Sequence, residues 1–80
     1  MNTPGKKHSY AVEQRLRLID FLAFTYGYVN RAALIDYFGI SGQQASLDLQ
    51  CYLGEAPGNL QYNPSVKAYL RAEKFTRVFP

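Results

Sequence analysis

The sequence predicts a mainly α domain with a small β-hairpin, a three-helix winged helix-turn-helix. Three observations predict it. Two helical patterns are joined by a corner of about three residues, "GIS" at 39–41, which contains a glycine. A longer amphipathic pattern precedes them, and two short β-like runs joined by a turn-forming stretch follow directly.

Length and composition set the frame. Eighty residues make one small domain near the lower end of what a hydrophobic core alone stabilises. Seven Tyr, five Phe and ample Leu and Ile supply a core and exclude a disordered chain. A net charge of +3 permits a polyanionic partner without requiring one. The single Cys51 excludes an internal disulfide, and one Cys with the single His8 falls short of a structural zinc site, so no metal or cofactor is expected. No apolar run has the length of a membrane span and no signal-peptide core is visible, which points to a cytoplasmic, nucleoid-associated protein with no membrane partner.

Residues 1–10 read as a flexible basic arm: "MNTPGKKHSY" is polar, with Pro4 and Gly5. Its plain role is a solubilising tail, although Lys6, Lys7 and His8 have the charge to follow a phosphate backbone. The first helix is "AVEQRLRLIDFLAFTY". At about 100° per residue, Val12, Leu16, Ile19, Ala23 and Tyr26 form one stripe, and Gly27 supplies the stop. Leu18, Phe21 and Phe24 are surplus to that stripe and are expected to meet a second subunit or a further domain.

Tyr28-Val29 is short and extended, and Asn30 is an N-cap for a second helix over 31–38. Gly39 ends it. Ser41 starts the third helix, with Gln44 at capping-box spacing and Ile40 and Ala45 at the hydrophobic-staple positions. Leu34, Phe38, Ile40, Ala45 and Leu49 are expected to pack the two helices together. After Gly54, "LQY" and "KAYLR" are joined across Asn63-Pro64-Ser65-Val66, which reads as a wing. The winged domain is placed at 11–72, and 73–80 reads as a linker toward a missing domain, although Phe75, Val78 and Phe79 are many apolar groups for a free end.

With Ala45 and Leu49 centred on the buried face of the third helix, Gln43, Leu47 and Gln50 point outward, and Gln44 and Ser46 lie on the flanks. An uncharged face of this kind suits the major groove. Gln amides pair bidentately with adenine, a Ser hydroxyl meets donors or acceptors, and Leu meets a thymine methyl. Gln44, being the capping-box partner, ranks below Gln43. The plain alternative is a neutral solvent face, which the Gln pattern alone does not displace. Backbone contacts are expected from Arg31, Ser41, Ser65 and Lys67, and Arg15, Arg17 and Arg71 read as ordinary solvated residues. An enzyme is not expected: His8, Cys51, Asp20, Asp36, Asp48 and Glu55 show no catalytic spacing. The competing function is a winged-helix protein-protein interaction module that does not read DNA. RNA binding is weaker, since only Tyr62 and Tyr69 offer a stacking platform.

The stretch "YVNRAALIDYFGISGQQASLDLQCYLGEAPGNLQYNPSVKAYL" resembles the N-terminal winged helix of bacterial transcriptional regulators carrying a WYL domain. It looks most like the branch that represses phage-defence operons of the BREX and CBASS types. The matching elements are "VNR", "FGIS", "QAS-DL", "APGNL-Y" and "KAY", within a similarity spanning roughly residues 15–79; "GIS…S-DL" is shared with DeoR-like winged helices at large. The resemblance implies a homodimeric repressor on a palindromic double-stranded DNA operator, with the third helix in the major groove and the wing at the backbone. It implies DNA-facing roles for Ser41, Gln43, Gln44, Ser46 and the wing around residues 65–67. That family continues into a WYL domain and a dimerisation module. An effector site is accordingly expected outside these residues, with the chain either an excised domain, which the tail "FTRVFP" favours, or a naturally short relative.

Overall fold

The computed structural model describes residues 8–79. Three helices, α1 (Tyr10–Tyr26), α2 (Arg31–Phe38) and α3 (Gly42–Glu55), carry a three-stranded antiparallel sheet of β1 (Tyr28–Val29), β2 (Leu60–Asn63) and β3 (Ala68–Arg71). The helix starts follow from their caps. Ser9, Asn30 and Ser41 sit in extended conformation, and each side-chain oxygen accepts from the amide three residues on. Gly27 and Gly39 end α1 and α2 in the left-handed conformation, at φ 86° and 68°.

The core lies where the three helices meet the base of the sheet. Leu16, Ile19 and Ala23 of α1, Leu34 of α2, and Ala45, Leu49 and Tyr52 of α3 are essentially sealed from solvent, with Val29 and Leu60 from the strands. The predicted α1 stripe holds in its middle and fails at its end, because Tyr26 is 65% exposed. The chain turns at Gly27, and Val29 of β1 fills the core beyond the last helical turn. Phe38 and Ile40 pack against the core while only partly buried.

The extended Tyr28-Val29 stretch joins the hairpin as a third strand, a pairing that local sequence does not announce. β3 lies between β1 and β2, with Tyr28 opposite Leu70 and Tyr62 opposite Tyr69. This ties the wing to the end of α1. The Arg71 guanidinium donates to the Phe24 carbonyl at 2.7 Å, and the Arg71 amide donates to Gly27 O. The last turn of α1 holds no basic residue of its own, so Arg71 caps that negative end from across the sheet.

Residues 73–79 lie folded against the domain. Phe75, Val78 and Phe79 pack on the core, and Phe75 stacks on Phe24. At the other end, Tyr10 already belongs to α1 and His8 packs against the end of α3. Residues 1–7 and 80 of the expected arm and linker lie outside the described residues.

Candidate nucleic-acid interface

Residues 39–41 set how α3 leaves α2. Ser41 Oγ accepts from the Gln44 amide at 3.0 Å, so one half of the capping box forms. The Gln44 side chain is engaged elsewhere, donating to Asp48 Oδ1 at 3.0 Å. Asp48 is buried, and its other oxygen accepts from Arg15 Nε of α1 at 2.6 Å. Gln44 is thereby turned toward the α1–α3 seam. Arg15, read from sequence as a solvated residue, is 13% exposed and anchors that seam.

The outward face of α3 carries what its periodicity predicts. Gln43, Leu47 and Gln50 are exposed, Leu47 by 58%, while Ala45 and Leu49 are sealed. Ser46 is half-buried on the flank, where its hydroxyl accepts from Arg31 Nη1 at 3.2 Å. The same nitrogen lies 3.5 Å from the Gly42 carbonyl. Arg31, at the start of α2, thus lies exposed against the first turn of α3. A Cβ at Gly42 would come within 3.5 Å of this guanidinium, in ordinary contact.

Between this corner and the wing runs a groove of about 580 Å³, lined among others by Asn30, Arg31, Ser46, Tyr62, Val66 and Lys67. It brings Arg31 and Lys67, distant in sequence, to one concavity. The wing tip is shaped by Asn63, whose Oδ1 accepts from the Ser65 amide at 2.9 Å and the Val66 amide at 3.4 Å. Lys67 closes the turn at φ 54°, a left-handed conformation unusual for a residue with a side chain. Ser65, Val66 and Lys67 are all exposed at the tip. Tyr62 and Tyr69 face each other across the hairpin with ring centroids 4.9 Å apart.

Leu18, Phe21 and Phe24 do not form one uniform patch. Phe21 is 47% and Phe24 49% exposed, Leu18 is partly buried against the core, and one side of the Phe24 ring is engaged by Phe75 and by the Arg77 guanidinium, 4.7 Å from its centroid.

On the α1 side of α3, Asp20 organises a network that sequence reasoning missed. It is fully buried on α1. Oδ1 accepts from Tyr52 OH of α3 at 2.5 Å and the Val78 amide at 3.0 Å; Oδ2 accepts from Arg77 Nε at 2.6 Å and the Phe79 amide at 3.1 Å. Burial pushes the carboxyl's pKa up, but these four donors, led by Arg77 and Tyr52, outweigh it and hold it below the ordinary value. Burial and the Asp20 carboxylate push the Tyr52 phenol well above its usual range. Asn59, the Asn of "APGNL", donates to Tyr52 OH and to the Thr76 carbonyl and accepts from the Thr76 amide. The sequence signals for this cluster were a polar residue beside the apolar stripe of α1, as Asp20 is, and the apolar tail residues Phe75, Val78 and Phe79.

The packing of α1 on α3 also brings His8 beside Cys51 and Glu55, three donors that the count of Cys and His did not anticipate.

Residues 11–80 match the family of BrxR transcriptional regulator winged helix-turn-helix domains. The chain is 44% identical over 68 residues to a DNA-binding transcriptional repressor CapW of Pseudomonas aeruginosa, covering 85% of this chain and 23% of that protein. It is 45% identical over 67 residues to a protein of the same description from Escherichia coli, covering 84% and 22%. A Stenotrophomonas maltophilia protein so described is 36% identical over 71 residues, covering 89% and 24%. The chain therefore spans about a quarter of the length of the curated relatives it matches.

Proposed function

The chain belongs to the family of BrxR transcriptional regulator winged helix-turn-helix domains, and on that premise we propose that it is the sequence-specific double-stranded DNA-binding domain of a transcriptional regulator. One observation carries the reading: an exposed, uncharged face of α3 (Gln43, Leu47 and Gln50) stands beside a groove with Arg31 at one side and Lys67 at the other. In this reading α3 enters the major groove. Gln43 and Gln50 pair with base edges, and Leu47 meets a thymine methyl. Arg31, Lys67, Ser65 and the first turn of α3 at Ser41 hold phosphates. Ser46 and Gln44 serve second to these, since Arg31 and Asp48 already engage their side chains.

One such domain reads a half-site, so specific affinity requires two copies on a palindromic operator. The exposed Phe21 ring, with Leu18 beside it, supports a homodimer contact through α1. The relatives described as repressors support repression as the sign of regulation. The resemblance to WYL-domain regulators supports phage-defence operons as targets, with effector sensing in a domain outside these residues. Such a protein acts in the cytoplasm at the nucleoid. Among the described residues no helix is long and apolar enough to cross a membrane.

Fluorescence anisotropy against a palindrome selected from random duplexes, repeated across a salt series, tests the reading. Selective binding that falls linearly in log salt is expected. No binding at low salt, or affinity indifferent to salt, would overturn it in favour of the protein-interaction module.

A further inference from the structure

We propose that His8, Cys51 and Glu55 form a binding site for a divalent transition-metal ion of the zinc class. Cys51 and Glu55 are four residues apart on α3 and therefore share one face of that helix. The same i, i+4 spacing lets a helix present two ligands to one zinc ion in other proteins. His8, immediately before the Ser9 cap of α1, reaches them because α1 packs along α3. Its Nε2 contacts Glu55 Oε2, and its Nδ1 lies 4.0 Å from Cys51 Sγ.

One ligand atom from each residue lies within 4.8 Å of the others. Tetrahedral coordination, with bonds of about 2.0 Å to nitrogen or oxygen and about 2.3 Å to sulfur, places neighbouring donors about 3.3–3.6 Å apart. Binding draws Cys51 Sγ inward and parts the His8–Glu55 contact to that spacing, with the His8 ring turned so that one of its nitrogens faces the ion. All three side chains are half-buried, so an ion has a route in and is partly shielded once there.

The donor set decides the class of ion. A thiolate, an imidazole and a carboxylate together favour zinc and its first-row neighbours over magnesium or calcium, which prefer oxygen alone. Thiolate and carboxylate balance the two positive charges. The site lies in the last turn of α3, where the helix end adds partial negative charge and the helix has no basic residue of its own. Three protein ligands leave the fourth position to water. Binding displaces the thiol proton and joins the chain ahead of α1 to the end of the helix that carries Gln43 and Gln50.

The test is titration of the reduced chain with Co²⁺, followed by thiolate-to-cobalt charge-transfer absorption, then displacement by Zn²⁺. One Co²⁺ per chain is expected. The charge-transfer band should vanish in Cys51→Ser, and His8→Ala and Glu55→Gln should each weaken binding by at least about tenfold. Far-UV circular dichroism verifies that each variant is folded, and Zn²⁺ should raise the thermal midpoint of the parent but not of Cys51→Ser. Absence of a charge-transfer band in the parent would overturn the site. So would His8→Ala and Glu55→Gln variants that bind Co²⁺ as tightly as the parent, since the thiolate would then be acting alone.

Discussion

Asp20→Asn removes one charge from the centre of the domain without changing side-chain volume, so its effect is not that of a cavity. The carboxylate accepts from four donors, two on each oxygen. An Asn keeps one oxygen and turns an NH₂ toward the other two donors. Either orientation leaves a pair of donors facing a donor, and the Arg77 guanidinium loses its counter-charge. Breaking a buried ion pair typically costs about 3–5 kcal/mol. Arg77 is 27% exposed and can recover water, which places the loss near the lower end, about 3 kcal/mol. A domain of this length has about 4–12 kcal/mol in all. At roughly 4–8 °C per kcal/mol, the thermal midpoint should fall by about 12–24 °C. Thermal and urea unfolding followed by far-UV circular dichroism measure it. The acid limb is an independent check. Because the folded carboxyl titrates below the ordinary aspartate value, its contribution is full above about pH 4 and is lost as pH falls through the lower folded value. The gap between parent and variant should therefore narrow on acidification. A midpoint within about 2 °C of the parent at neutral pH would refute the reasoning.

Gln43→Ala should weaken binding to a selected operator by about 1–3 kcal/mol and relax base preference at one position, measured by anisotropy; an equal loss on random duplex would remove Gln43 from base reading. Phe21→Glu should lower both the dimer fraction in sedimentation and the operator affinity, and unchanged values of both would place the dimer contact elsewhere. Ser41→Ala removes the α3 N-cap and should cost about 1 kcal/mol in urea unfolding, with a midpoint unchanged by the substitution counting against the cap.

Much of the frame is local and was legible in the chain. Helix limits depend on caps and periodicity that operate over three or four residues, and Ser41, Asn30, Gly27 and Gly39 act where the pattern puts them. Ala45 and Leu49 inward fix Gln43, Leu47 and Gln50 outward, because a rigid helix leaves no other arrangement. The hairpin was visible from its turn residues. Tyr26 was misplaced because periodicity does not say where the core stops.

The sequence by itself determined three helices, the tight corner, the wing and the uncharged face of α3. Only the tertiary structure decided what the buried and half-buried charged side chains do. Asp20 meets Tyr52 across 32 residues and Arg77 across 57; Arg15 meets Asp48 across 33, and His8 meets Glu55 across 47. Such pairings depend on how α1 lies on α3 and on where the tail returns, and no local period records either. Gln44 shows the consequence within α3: its spacing suits a cap or a base, and a buried Asp48 held by Arg15 takes it instead. A charge inside a low-dielectric core must find partners wherever the fold brings them, so burial fixed these roles after local structure had set the frame.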